Sequence, residues 1–258
     1  MKVTDARPPK LSVITLTKNS ERTIDQTLNS IYGWAEEIII IDSGSEDRTI
    51  EIAEKFGCKV FHKELQGFGE QKSYGVAQSS NDWVMIVDSD EVVTDELKNE
   101  ISVKLASAEP NGFNVPITLV FMGRIMRNGR EYKMPHLRLF NKKYGNYNSS
   151  KVHEDVELKG EAGSFENHIL HYSYADLNEY FKKFNYYTSL AAQDLKSKGR
   201  RTNTFEIVIR FPVQFFQTYF LHLNFLNGYP GFIWSLCSAF YPVIKLAKLK
   251  ELTTDKQL

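Results

Sequence analysis

The first ninety residues alternate between two patterns. Short apolar, β-branched runs are bounded by turn-forming residues: "LSVITLT" (11–17), "EEIIIIDSGS" (36–45, its apolar part ending at Asp42), "KVFHK" (59–63) and "DWVMIVD" (82–88). Each reads as a strand, and the continuous runs read as buried strands. Between them lie amphipathic stretches. "SERTIDQTLNSIYGWA" (20–35) repeats apolar residues at Ile24, Leu28 and Ile31, with Ser20 placed to cap its start. "SEDRTIEIAEKFG" (45–57) opens on a capping signal and closes on Gly57, and "GEQKSYGVAQSS" (69–80) reads as a third helix. Strands alternating with helices predict βαβ units and an α/β fold with a mostly parallel sheet covered on both faces. Such sheets bind ligands at the carboxyl ends of their strands. Three polar clusters, "TKNS", "DSGS" and "DSDE", fall there.

After about residue 100 the alternation fades. "NGFNVPITLVFMGRIM", "HLRLFNK" and "VHEDVEL" read as longer, partly antiparallel strands. From about 176 the chain becomes helical and strongly aromatic. The expected organisation is therefore a catalytic α/β region over 1–175 and a helical C-terminal region over 176–258.

Composition adds little until it is divided. The 258 residues are 42% hydrophobic and 25% charged, with zero formal net charge. That balance gives no basic footprint for nucleic acid. Residues 181–258, however, hold eleven Lys or Arg against four Asp or Glu, so the earlier residues carry the compensating negative excess. A basic, aromatic C-terminal third suits an anionic surface such as lipid headgroups. Cys58 and Cys237 have no metal or redox spacing and read as free thiols of a reducing compartment. The early run "LSVITL" is too short for a signal-peptide core, which predicts a cytoplasmic catalytic part.

The carboxylates of "IVDSDEVV" need a reason to crowd a strand end. No P-loop is present, and "GFGEQK" carries Lys72 where a dinucleotide fingerprint needs its third glycine. With no glycine-rich cradle for phosphates, a divalent cation is the natural intermediary. Asp88 and Asp90, two apart, can both reach one Mg²⁺ or Mn²⁺, which would grip a diphosphate. Alternatively Asp90 and Glu91 simply favour the N-terminus of the next helix.

The order of these motifs resembles glycosyltransferase family 2, the inverting GT-A enzymes, over residues 10–160. The nearest branch is the bacterial lipopolysaccharide-core β-glucosyltransferases, through "TKN", "DSGS-x-D-x-T", "LQGFGEQK" and "VHE", and more loosely "FFQTYFLHLNFLNGYPG". The resemblance implies a Rossmann-like GT-A fold and transfer of a hexose, glucose by analogy, from a UDP-sugar. It implies that Thr17, Lys18 and Asn19 line the nucleoside site and that Asp42 accepts from the uracil N–H. Gly44 would permit the turn, Asp47 would support the helix, and Lys72 would face the base or diphosphate. Asp88 would serve ribose and metal, Asp90 the metal, and Glu91 the helix N-terminus. An inverting transfer needs a general base. In "VHED" the branch points to Glu154, the wider family's acidic pair to Asp155. His153 could orient the base, assist the metal or pack, and Arg138 could meet the diphosphate or a phosphorylated acceptor, or pair with a strand neighbour.

The QxxRW signature of processive synthases is missing, which implies transfer of one sugar per acceptor. The best apolar stretch of the tail, "GFIWSLCSAFYPVI" (231–244), falls short of the about 18–20 residues a span needs and contains Pro242. With basic flanks at 196–201 and 245–250 it reads as lying on a membrane. The expected acceptor is a lipid-linked glycan such as lipopolysaccharide core, at the cytoplasmic face of the inner membrane. A polyprenyl phosphate acceptor keeps the same fold. A non-catalytic nucleotide-sugar-binding module and a sugar-1-phosphate nucleotidyltransferase are the remaining readings, the last disfavoured by "LTKNS" in place of a glycine-rich start.

Overall fold

The structure is a computed structural model and describes residues 10–106, 110–148 and 155–254. Two compact units emerge, one formed by the chain up to Thr118 with Lys133–Tyr172, the other by Leu119–Tyr132 with the chain from Ser173.

In the first unit the expected alternation is present: β1 (Leu11–Thr17), α1 (Ile24–Ile31), β2 (Glu37–Asp42), α2 (Thr49–Lys55), β3 (Lys59–His62), α3 (Phe68–Gln78) and β4 (Trp83–Ile86). The strands lie in the order β3-β2-β1-β4, all parallel. β5 (Glu91–Val93) and α4 (Asp95–Lys104) follow, then β6 (Gly112–Phe121), the two-residue β7 (Arg124–Ile125) and β8 (Met134–Asn141). β8 runs antiparallel between β4 and β6, and β12 (Ile169–His171) pairs antiparallel with β5. β9 (Gly145–Tyr147) and β10 (Val156–Leu158) form a separate hairpin, and β11 (Ala162–Ser164) pairs with β6.

Strand alternation sorts the core into two layers. Leu11, Val13, Ile38, Ile40 and Met85 face one side, where α1, α2 and α4 contribute Ile24, Leu28, Ile31, Ala53, Leu97 and Ile101. Ile14, Ile39, Ile41, Val84 and Ile86 face the other, against Val76 of α3 and against Phe140 and Tyr147. Every residue of β2 is buried, as its unbroken apolar run requires of a central parallel strand.

Ser20 does not cap α1 with its side chain. The helix begins at Ile24, and the Ser20 hydroxyl instead meets the Ser89 hydroxyl at 2.9 Å, tying the first loop to the DSD loop.

In the second unit α5 (Leu177–Ser197) and α6 (Thr204–Phe216) are followed by α7 (Gly228–Thr253), α6 passing to α7 through a π-helical turn at Gln217–Leu221 and a 3₁₀ turn at Asn224–Asn227. α7 departs from the sequence expectation. It continues through Pro242 to Thr253, so that the stretch from Asn224 is long and apolar enough to cross a membrane by length and composition. Its Gly231 touches the 3₁₀ turn: a Cβ there would stand 1.9 Å from the Asn224 carbonyl oxygen. Phe121, Tyr180, Met126 and Cys237 form this unit's core, with Tyr174 and Trp234 packed edge-on.

Candidate active site

The carboxyl ends of β1, β2 and β4 carry three loops that hold one another. Asp42 is buried, and its oxygens accept four bonds: the Thr17 hydroxyl at 2.9 Å, the Ser45 hydroxyl at 2.6 Å, and the Gly44 and Ser45 N–H groups, each at 2.8 Å. Burial raises the Asp42 carboxyl, but these donors outweigh it and hold it below the usual range. Gly44 sits at φ +89°, a conformation that favours glycine. Asn19 is also left-handed, at φ 50°, and its side-chain oxygen accepts from the Glu46 N–H at 2.8 Å. Lys18 is exposed. Asp47 accepts from the Thr49 and Glu21 N–H groups, so it supports the start of α2.

The DSDE loop is organised by Arg138 on β8, the strand beside β4. Its Nη2 donates to Asp88 Oδ2 at 2.7 Å and to Glu91 Oε1 at 3.3 Å. Glu91 Oε2 accepts the Asp88 N–H at 2.8 Å. Glu91 is thus not a helix N-terminal charge. It lies fully buried on β5, four positions before α4 begins, as one member of a carboxylate–guanidinium–carboxylate cluster. The local pattern of an acid shortly before a helix is the same in both cases, and only the packing of β8 separates them. Burial pushes the Glu91 carboxyl up, against the pull of Arg138, and the Asp88 charge adds to the rise. Asp88 is held well below the usual carboxylate range because the Arg138 charge and hydrogen bond overcome its burial. Arg138 is raised in turn, its burial outweighed by Asp88 and Glu91. Its Nη1 is buried without a hydrogen-bond partner.

Asp90 meets a different partner. Its Oδ1 stands 3.3 Å from Nε2 of His171, on β12. Burial lowers the His171 ring, and the Asp90 hydrogen bond and charge reverse this and raise it. No sequence signal marked His171, which follows an ordinary "IL" pair far from the DxD. The pairing of β12 with β5, Glu91 opposite His171, brings it here.

The two side chains are bonded to each other, and a divalent cation between them would have to replace that bond and take the place of the imidazole proton. Among the described residues, His, Cys, Asp and Glu form no group of three or more arranged to hold a metal. Such an ion would therefore lean on two side chains and on the phosphates of its ligand.

Beside the cluster opens a cavity of about 740 Å³ lined by Lys72, Asp88, His136, Arg138, Tyr147 and Asp155. Lys72 is buried, with Nζ 5.3 Å over the Tyr147 ring. Burial lowers the His136 ring, and Arg138 lowers it further. Asp155 is exposed at the cavity wall. Glu154 and His153 lie outside the described residues.

Residues 12–158 match the family model described as glycosyl transferase family 2. The chain belongs to glycosyl transferase family 2. The transferase is 31% identical over 256 residues to an uncharacterised glycosyltransferase of Rickettsia typhi, covering 95% of this chain and 88% of that one. It is 28% identical over 251 residues to the lipopolysaccharide core biosynthesis glycosyltransferase LpsC of Rhizobium meliloti, covering 93% and 92%. Among solved structures, residues 1–349 of Staphylococcus aureus TarS superpose with a TM-score of 0.50 at 15% identity, covering 94% of this chain and 90% of that one, which supports the GT-A fold.

Proposed function

We propose that the transferase moves a single hexose, glucose by analogy with the lipopolysaccharide-core branch, from a UDP-sugar to a membrane-borne glycolipid such as lipopolysaccharide core. The observation that carries this reading is the divided DxD: Asp88 clamped by Arg138 beside Lys72, and Asp90 facing His171. The likeness to LpsC supports a place in lipopolysaccharide core biosynthesis. Residues 1–175 would carry donor binding and catalysis. Residues 176–258 would meet the acceptor and the cytoplasmic face of the inner membrane.

In this reading Thr17, Lys18, Asn19, Asp42 and Gly44 form the nucleoside wall. Asp42 is engaged with its own loop, so its role there is to fix the wall's shape and to present a carboxylate edge. Asp88 orients the ribose. Lys72 and the unpaired edge of Arg138 meet the diphosphate. Asp90 and His171 would hold Mg²⁺ or Mn²⁺, which when bound supplies charge stabilisation for the departing nucleotide.

The acceptor hydroxyl attacks the anomeric carbon from the face opposite UDP. The new carbon–oxygen bond forms as the sugar–phosphate bond breaks, the electron pair leaves on UDP, and the hydroxyl proton passes to a carboxylate. Glu154 or Asp155 is that base, a contribution of about 10²–10⁴-fold.

The test is UDP release from a panel of UDP-sugars with truncated lipopolysaccharide, with Mn²⁺, Mg²⁺ or EDTA, for the native enzyme and for Asp90→Ala, Glu154→Gln and Asp155→Asn. Turnover on one UDP-hexose, lost with chelator and in Asp90→Ala, supports the reading, and the more damaging of the other two variants names the base. Binding of UDP-sugars without turnover on any acceptor glycolipid overturns it.

A further inference from the structure

α6 is an amphipathic helix with apolar residues on both sides. One side packs on α7, with the Phe211 ring 4.9 Å from that of Phe240 and the Phe215 ring 6.0 Å from that of Phe232. The other side is bare. Phe205, Val208, Ile209, Val213, Phe216 and, one turn on, Phe220 recur at helical spacing and are all exposed, Phe205 to 77%. None of the residues of α6 is buried. An exposed apolar stripe of this length on a helix marks a surface that meets an apolar environment.

Charge says which. Residues 196–250 contain eight Lys or Arg and one carboxylate, Glu206. Glu206 is neutralised by Arg200 at 2.8 Å and Arg210 at 3.5 Å. Lys198 is paired with Asp194 at 2.8 Å, and the region still holds more cations than carboxylates. An apolar stripe in such a region matches the boundary of an anionic bilayer, where rings enter the acyl layer and cations stay among phosphates. A protein partner would need a dense acidic rim around an aromatic groove, and a second copy meeting this face with its own α6 offers like charge.

α7 passes the length test for a span, but its surroundings argue against that role. It is packed against the 3₁₀ turn at Gly231, and Lys248 donates to the Asn185 carbonyl and to the Thr188 and Ser189 hydroxyls of α5, each within 2.9 Å. Lys245 and Lys250 share its last turns. A helix so committed to α5 and α6 is a support, with α6 as the face it displays.

We propose that the exposed stripe of α6 lies in the plane of an anionic membrane as the enzyme's docking surface, with α7 behind it and not across the bilayer. This rests on the membrane-borne acceptor of the preceding section. The test is co-sedimentation of the full chain with vesicles of phosphatidylglycerol and phosphatidylethanolamine, against phosphatidylcholine alone. Phe205→Ser/Phe216→Ser and Arg201→Glu are compared after circular dichroism shows native helix content. Binding to anionic vesicles that falls about tenfold or more in each variant, and is weak on neutral vesicles, is the expected result. Equal binding to both lipids, undiminished binding in the double variant, or a dimer in sedimentation velocity that the double variant dissolves would overturn the proposal. Transfer to detergent-dispersed truncated lipopolysaccharide is measured in parallel. Lost vesicle binding with transfer retained in the variants supports a docking role. Absent transfer with vesicle binding intact sinks the proposed reaction and leaves the docking surface standing.

Discussion

Arg138 shows how one side chain can hold a site together. Two carboxylates, the part-exposed Asp88 and the fully buried Glu91, share its guanidinium. Removing the cation leaves a buried carboxyl without its partner, ionised or protonated. Arg138→Met is expected to cost about 3–5 kcal/mol of folding stability in urea titration, and adding Glu91→Leu should recover part of it, since the stranded carboxylate is then gone. Another buried acid, Glu37, sits at the opposite ends of the strands. It accepts from Ser12, Ser80 and Lys59, and although burial raises it, these donors bring it down to about 2. Its folded value lies below its unfolded one, so its contribution is complete above about pH 4.5 and fades as pH falls toward about 2. Glu37→Gln should therefore lose about 1–3 kcal/mol at neutral pH and show a flatter acid limb in pH-dependent melting. Residue identities at this scale were legible where chemistry was local. Gly44 and Asp47 announced their turns. Glu91 and His171 did not, because their roles depend on β8 and β12, which arrive in sequence some fifty and eighty positions later.

At the scale of elements, the parallel strands could be read directly, since a strand buried on both faces must be apolar throughout. α7 was harder. Pro242 normally ends a helix because it lacks an N–H and crowds the carbonyl four residues back, yet here the helix continues, with Ala239, Leu246 and Leu249 buried on either side of it. Tertiary burial overrides the local signal. The tightest element contact is Gly231 against the 3₁₀ turn, where any side chain meets backbone. Gly231→Ala is expected to destabilise the second unit by at least about 1–3 kcal/mol, seen as a lower melting temperature. UDP affinity would be unaffected if donor binding belongs to residues 1–175.

The whole molecule balances its charge between unlike regions, with a formal net charge of zero and a sequence pI near 7.0. Proteins near neutrality attract one another at low ionic strength. Light scattering at pH 7 should show net attraction in dilute buffer that moderate salt relieves, and moving the pH well away from 7 should do the same. The exposed α6 stripe would add a salt-insensitive part to that attraction.

The meeting of Asp90 and His171 has a consequence for how such a protein can diverge. The two lie at the edges of β5 and β12, whose grip on each other is made of main-chain hydrogen bonds. Main-chain pairing is blind to the identity of what lies between. Stretches between the two strands that reach neither the site nor the strand pairing, such as the turn before β7, are free to lengthen or change sequence. A lineage could redraw the outline presented to the acceptor, one insertion at a time, while Asp90 and His171 stay in register. Novelty in what is glycosylated would then arise without rebuilding the means of doing it.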